Sequence, residues 1–137
     1  MPSWPEIKDR VIGLAEGELE LWATSGLKEH QPGASSLLTK YWRSVKSAAE
    51  AKKIVEELQA DPTHDLHPWS SAFISWIMTS AGATEFKKSA AHRVYVAGAK
   101  HNRETLVIDN PFWAFEIDEV NPEIGDLICQ RRCTTAQ

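Results

Sequence analysis

The sequence has little cysteine and no long apolar run, and both absences narrow the classes of protein to which it can belong. Its 137 residues include two cysteines, Cys129 and Cys133, which are only four positions apart. Two cysteines this close cannot form the disulfide framework of a small secreted domain, and we interpret them as incidental thiols. The most apolar stretch, residues 72–78, is far shorter than a membrane-spanning helix requires, so we expect no membrane span.

Positive charge is scarce as well, and this bears on the partners that we expect. Lys and Arg number 15 against 19 Asp and Glu, which gives a formal net charge of −4. No basic patch is longer than residues 130–132, so we expect no nucleic-acid partner. The N-terminus lacks the apolar segment of a signal peptide. We therefore expect synthesis in the cytoplasm, with any action in the periplasm or cell wall reached by non-classical export.

What the sequence does contain is typical of one globular domain. Hydrophobic residues make up 42% and charged residues 25% of the chain, close to the average for soluble proteins. A chain of this length can bury a sufficient core by itself, so residues 1–137 are predicted to form a single domain. Six tryptophans are the one unusual feature, and three of them (Trp22, Trp42 and Trp76) lie on apolar helical stripes and are predicted to be in the core.

Apolar residues at helical spacing predict four helical stretches. These cover about residues 4–24, 37–60 (one helix that runs on, or two that break and restart), 69–81, and a last helix after residue 89. Ser3 and Glu6 have the spacing of a capping box at the start of the first helix. Gly82 is typical of a helix C-terminus, and Ser89 is the predicted N-cap of the last helix.

The pattern changes after about residue 104 and predicts strands. Three short apolar or aromatic runs follow one another, at residues 106–108, 112–117 and 126–129, with Pro122 and Gly125 between the last two. Because helices come first and strands last, the sequence predicts an α+β fold rather than an alternating α/β fold.

Residues 67–78 are the most informative segment for chemistry. A loop that ends in Pro68 places Ser70 in the first turn of a strongly apolar helix. Backbone N–H groups there lack helical partners and the helix dipole is positive, so a nucleophile and an oxyanion would both be stabilised. The simpler alternative is that Ser70 and Ser71 are there because serine favours the start of a helix.

The segment Pro-Trp-Ser-Ser-Ala-Phe-Ile-Ser-Trp at residues 68–76 resembles the nucleophile helix of NlpC/P60- and CHAP-like cell-wall hydrolases. It is more closely similar to the DUF2272 family of bacterial proteins. Three further segments, at residues 41–42, 89–95 and 122–129, resemble that family in the expected order. The resemblance therefore extends over about residues 37–130.

This resemblance implies a papain-like, NlpC/P60-type α+β fold, in which N-terminal helices pack on a small antiparallel sheet that is incomplete in this chain. It implies an endopeptidase or amidase that cleaves an amide bond of peptidoglycan. Ser70 stands where the catalytic relatives have cysteine, and no histidine follows His101 to serve as the usual strand-borne base. The matched segment at 89–95 instead offers His92, with Trp69 and Tyr95 as residues that bind the stem peptide or glycan.

A serine nucleophile depends on an adjacent general base, and His92 can be one because a helix N-terminus disfavours the imidazolium form. The alternative for His92 is a structural role, with its ring hydrogen-bonded to the Ser70 loop. For the whole protein, the alternative is a catalytically inactive papain-like module that binds peptidoglycan or a partner protein. Further partners in the active case are a cognate immunity protein or a missing C-terminal segment.

No cofactor is expected. His64 and His67, with a carboxylate between them, form the one candidate metal cluster, but no distant third or fourth ligand stands out. The sequence therefore predicts no metal site.

Overall fold

Five α-helices form the body of the protein in the computed structural model, which describes residues 2–130. In chain order they are α1 (Trp4–Ser25), α2 (Ser35–Trp42), α3 (Ala48–Ala60), α4 (Ser70–Ala81) and α5 (His92–Glu104), with a 3₁₀ turn at Pro32–Ala34 before α2. The predictions that concern Cys133 and the basic residues at 131–132 lie outside the described residues.

The ends of α1 and α4 follow from the local sequence as predicted. Ser3 and Glu6 form a capping box, in which each side chain accepts a hydrogen bond from the backbone N–H of the other residue. Gly26 and Gly82 end α1 and α4 in the left-handed conformation, with φ of +66° and +88°. Glycine adopts this conformation without the strain that a Cβ would introduce.

The predicted stretch at 37–60 breaks into two helices. Ser47 begins α3 by accepting a hydrogen bond from the backbone N–H of Glu50 at 3.2 Å. The prediction that Ser89 caps the last helix is wrong, because the N-cap of α5 is Ala91. The Ser89 hydroxyl instead accepts from the Ala91 backbone N–H at 3.0 Å, which fixes the approach to α5.

Helix α4 lies between α1 and α2 and contributes to both of the hydrophobic clusters that form the core. The first cluster contains Ile7, Val11, Ile77, Met78, Ala81, Ala83, Phe86 and Tyr95. The second cluster contains Ala34, Leu38, Tyr41, Trp42, Ala51, Val55, Leu58 and Ala72. Trp42 is buried in the second cluster, and Trp22 and Trp76 pack against it half-buried, as the helical stripes predict.

The predicted papain-like α+β fold is wrong, because residues 2–130 contain helices and no strand. A strand requires a neighbouring strand that takes up its backbone hydrogen bonds. The three apolar runs have no such neighbour, and their aliphatic side chains are largely in solvent: Ile108 is 91% exposed, Ile117 71% and Ile128 67%. A helical body with an extended C-terminal segment replaces the expected sheet.

Residues 105–130 are attached to the helices by a few individual hydrogen bonds and an ion pair, and not by the regular hydrogen-bond ladder of a β-sheet. The Ala114 backbone N–H donates to the Ala99 carbonyl at 3.2 Å, and the Asn102 amide donates to the Phe112 carbonyl at 3.1 Å. Phe112 and Trp113, at the start of the predicted strand at 112–117, are thus not in a strand, although Phe112 does pack against the first cluster. Lys8 of α1 holds the end of the segment through Asp126 at 3.1 Å.

The helices of residues 2–130 are too short or too polar to cross a lipid bilayer.

Candidate active site

The structure brings the Ser70 hydroxyl and the His92 ring together. Ser70 is the first residue of α4 and His92 is the first residue of α5. The Ser70 Oγ lies 2.7 Å from the His92 Nε2, which is hydrogen-bond distance, and both residues are exposed to solvent. A hydroxyl and an imidazole at this distance have the geometry of a nucleophile and its general base.

Tyr95 contacts the other nitrogen of the same ring. It lies one turn after His92 on α5, and its hydroxyl is hydrogen-bonded to the His92 Nδ1. Burial raises the pKa of Tyr95 above its usual value, so the phenol is protonated at neutral pH. Tyr95 therefore orients the imidazole from the side that faces the core.

Two buried serines of α4 hold the loop that delivers His92. The Ser71 and Ser75 hydroxyls both donate to the Ser89 backbone carbonyl, at 2.7 Å and 3.1 Å. The Ser75 hydroxyl also accepts from the Ser89 backbone N–H at 3.0 Å. This arrangement satisfies the polar groups of both serines inside the core and sets where α5 begins.

The start of α4 offers backbone donors beside Ser70. Its N-cap, Trp69, makes no side-chain cap hydrogen bond. The N–H groups of the first turn are consequently not used by a capping side chain, and they lie at the positive end of a 12-residue helix. Such donors can stabilise a negatively charged oxygen that forms next to the Ser70 Oγ.

Trp69, which the sequence places with the substrate-binding residues, packs into the second cluster instead of against His92. Its ring stacks on Trp22 and on Tyr41, with ring centroids 5.5 Å and 5.7 Å apart. Its indole N–H donates to the Glu29 carboxylate. Trp69 is half-buried, and its role in binding substrate stays a prediction.

A second polar network lies in the second cluster, and sequence reasoning missed it. The buried Glu18 carboxylate of α1 accepts from the Lys40 Nζ at 2.7 Å and from the Tyr41 hydroxyl. Trp22 donates its indole N–H to the same hydroxyl at 2.9 Å. The Lys40 Nζ also lies 4.4 Å from the centre of the Trp76 ring. We call these residues (Glu18, Lys40, Tyr41 and Trp22) the glutamate network.

His64 and His67 do not come together as metal ligands. The His67 Nε2 is 2.7 Å from the Glu57 carboxylate, whereas the His64 ring contacts His30, with centroids 4.5 Å apart. Within residues 2–130, no group of three or more His, Cys, Asp or Glu side chains could hold a metal ion.

An open depression of about 610 Å³ runs along α2, away from Ser70. Its lining residues are Ser35, Ser36, Thr39, Lys40 and Arg43, all of which belong to α2 or its C-cap. A surface formed by one helix cannot enclose a ligand from several sides, as a substrate cleft does. We therefore place the candidate active site at Ser70 and not at this depression.

The serines at 71 and 75, which hold the loop before α5, are residues that the sequence could have revealed. They are four positions apart in an apolar helix, so both hydroxyls lie on the same face of that helix, the face that packs into the core. A buried hydroxyl needs a hydrogen-bond partner, and two of them on one apolar helix indicate that a polar group of another segment packs against that face.

Comparison with known proteins assigns a family. The family model described as "Uncharacterized protein conserved in bacteria (DUF2272)" matches residues 29–137. No curated protein and no solved structure matches the chain.

Proposed function

The chain belongs to the DUF2272 family of bacterial proteins, and we propose that it is a hydrolase that cleaves an amide bond of peptidoglycan with Ser70 as the nucleophile. The observation that carries this proposal is the 2.7 Å contact between the Ser70 Oγ and the His92 Nε2 at the start of two helices. At the level of the motif, residues 68–76 also resemble the nucleophile helix of NlpC/P60-type hydrolases.

The reaction follows from these groups. The Ser70 Oγ attacks the carbonyl carbon of the amide while the His92 Nε2 takes the hydroxyl proton. The carbonyl oxygen becomes an oxyanion, which the first-turn N–H groups of α4 stabilise. The C–N bond then breaks, His92 gives its proton to the leaving amine, and an ester of Ser70 remains.

Water completes the cycle. His92 removes a proton from a water molecule, whose oxygen attacks the ester carbonyl carbon. The ester bond breaks, the Ser70 Oγ regains a proton from His92, and a carboxylic acid leaves. His92 thus accepts and returns one proton in each half of the reaction, which requires one open ring nitrogen beside Ser70.

An extended stem peptide can reach this site. Ser70 and His92 are exposed, so an extended peptide can reach them without an opening motion. Peptidoglycan also lies outside the cytoplasm, so this function requires export, and a producing cell would need an immunity protein or another form of protection.

The test is digestion of purified sacculi, with new muropeptides identified by chromatography and mass spectrometry. We expect the parent protein to release muropeptides and Ser70→Ala to lower the rate about a thousandfold or more. Ser36→Ala is the matched control, since Ser36 is also an exposed serine in the first turn of a helix. It should retain the parental rate. Equal release by the parent and Ser70→Ala would overturn the role of Ser70.

The inactive binding module is the second candidate, favoured by one observation: the position of the nucleophile holds serine instead of the more reactive cysteine. It predicts retention of the protein on sacculi without any muropeptide release, and binding that Ser70→Ala does not change. Hydrolysis gained by Ser70→Cys alone would exclude this candidate, because it would show that His92 already acts as a base.

A further inference from the structure

The loop between α3 and α4 leads to Ser70, and two of its histidines are in the left-handed conformation. The φ angles of His64 and His67 are +59° and +54°. A residue with a Cβ is strained in this conformation, so other contacts must hold each of the two turns in place.

The turn at His64 is held from within the loop. The Asp61 carboxylate accepts from the backbone N–H groups of Asp65 and Leu66, at 3.0 Å and 2.8 Å. The His64 ring itself is exposed and contacts the exposed His30 ring. Backbone hydrogen bonds to Asp61 therefore fix this part of the loop.

The turn at His67 is held from outside the loop, by the His67 side chain. Its Nε2 lies 2.7 Å from the Glu57 carboxylate of α3. A carboxylate can only accept, so the His67 Nε2–H donates. The same ring lies edge to face with the buried Trp42 of α2, with centroids 6.2 Å and planes 79° apart. His67 thus connects the end of the loop to two helices of the core.

Little freedom remains between His67 and Ser70. The ring of Pro68 fixes its φ angle, and the Trp69 ring packs against the second cluster. A displacement of the backbone at His67 is consequently passed on to Ser70, whose Oγ lies 2.7 Å from the His92 Nε2.

We propose that Glu57 and His67 are positioning residues, whose contact fixes the end of this loop so that Ser70 begins α4 within reach of His92. The consequence for catalysis rests on the proposed function. The position of the side chain at residue 70 is a property of the folded chain and can be measured without any substrate.

The chain offers a matched control for each residue of the pair. Glu56 and Glu57 each pair with a lysine four residues earlier, at 3.9 Å and 3.8 Å, and of the two it is Glu57 that contacts His67. Glu56→Ala and Glu57→Ala therefore remove comparable ion pairs on the same helix. His64→Gly and His67→Gly both relieve the strain of a left-handed residue, but the second also removes the contact with Glu57.

The experiment uses Ser70→Cys in the full chain and measures the pKa of the new thiol from its thiolate absorbance near 240 nm, as the difference from the same protein with serine at this position. The start of a helix and a neighbouring His92 imidazolium should lower this pKa below the ordinary value of a thiol. We expect Glu57→Ala or His67→Gly, added to Ser70→Cys, to lower the thiolate fraction at neutral pH about threefold or more.

The two control variants, Glu56→Ala and His64→Gly, should keep the thiolate fraction of Ser70→Cys. Glu57→Gln should keep most of it, because the amide oxygen still accepts from the His67 Nε2–H.

Equal thiolate fractions in Glu57→Ala and Glu56→Ala would overturn the inference. A thiol of ordinary pKa in Ser70→Cys itself would also overturn it, as would a loss of stability in Glu57→Ala without any change at the thiol. If His67→Gly does not fold, Glu57→Ala decides the question, since Glu57 is only half-buried.

On sacculi, Glu57→Ala in the parent should lower the rate of muropeptide release about tenfold, and Glu56→Ala should leave it unchanged. The expected response of the thiol, together with no hydrolysis by the parent, would refute the proposed function and leave this inference intact.

Discussion

The two tyrosines of the sequence lie in two polar networks that share α4 and differ in their access to solvent. Tyr95 is hydrogen-bonded to one nitrogen of the His92 ring, and the other nitrogen lies beside the exposed Ser70 hydroxyl. Tyr41 connects Trp22 to the Glu18 carboxylate, and both of its partners lie against the second cluster. Both networks satisfy buried hydroxyls, but only the first one reaches an exposed hydroxyl, that of Ser70. We infer that the first network serves chemistry and the second one fixes the packing of α1 on α2.

The largest expected effect concerns His92 and tests the chemical side of this comparison. If His92 is the general base, His92→Ala should lower the rate of muropeptide release about a hundredfold to ten-thousandfold. Because the ring is exposed, we expect the free energy of unfolding to change by less than about 1 kcal/mol.

His101→Ala is the control for this prediction, since His101 is an exposed histidine on the same helix whose side chain is absent from the site. Rates are measured on sacculi and stabilities by urea unfolding. A His92→Ala variant as active as His101→Ala would show that the base lies elsewhere. The network around His92 would then have no role in catalysis that sets it apart from the glutamate network.

The next effect concerns Glu18 and tests the structural side. Glu18→Gln removes the charged partner of the partly exposed Lys40 ammonium and the carboxylate that accepts from the buried Tyr41 hydroxyl, so the free energy of unfolding should fall by about 1 to 2 kcal/mol. Glu20→Gln, on the exposed face of the same helix, should stay within about 0.5 kcal/mol of the parent. The measurement is urea unfolding followed by circular dichroism.

The folded Glu18→Gln protein should still hydrolyse sacculi at close to the parental rate, because Glu18 contacts no residue of the Ser70 site. If Glu18→Gln lost activity without losing stability, the inference that the glutamate network serves only packing would be wrong.

The smallest effect is a difference in alkaline titration between the two tyrosines. Burial and the hydrogen bond to Glu18 hold the pKa of Tyr41 well above its ordinary value of 10.0, while burial raises the pKa of Tyr95 less strongly. A phenol whose pKa is raised by folding contributes stability below pH 10, and this contribution is lost as the pH rises above 10. We expect the absorbance change near 295 nm to show Tyr95 ionising before Tyr41.

Tyr41→Phe should remove the later of the two steps and leave the earlier one. It should also reduce the loss of stability above pH 10. Should Tyr95→Phe remove the later step instead, the Tyr95 site would be the more closed of the two, and the comparison would be reversed.

The helices could be predicted from the sequence because their determinants are local. The capping box at Ser3 and Glu6, the turn at Gly82 and the stop before Asp61 each depend on a few neighbouring residues. The pairing of Ser70 with His92 was predicted as well, but from the resemblance of two segments and not from spacing.

Whether the C-terminal segment forms strands could not be predicted from local sequence, since a strand depends on a neighbouring strand that can be distant in the chain. Residues 106–108 and 126–129 have strand-like composition, yet the structure supplies no neighbouring edge within residues 2–130. The same limit applies to the glutamate network. Glu18 looks like one of several acidic residues on α1, and only the approach of α2 turns it into a buried partner of Lys40 and Tyr41.

The stacked rings of Trp22 and Trp69 have an optical consequence. Their centroids are 5.5 Å apart and their planes differ by 20°, which is close enough for the two indoles to share an excited state. Tyr41 stacks on the second of these rings, so the near-ultraviolet dichroism of the protein should be dominated by the region around the glutamate network. A near-ultraviolet dichroism spectrum would thus report on the integrity of the second cluster.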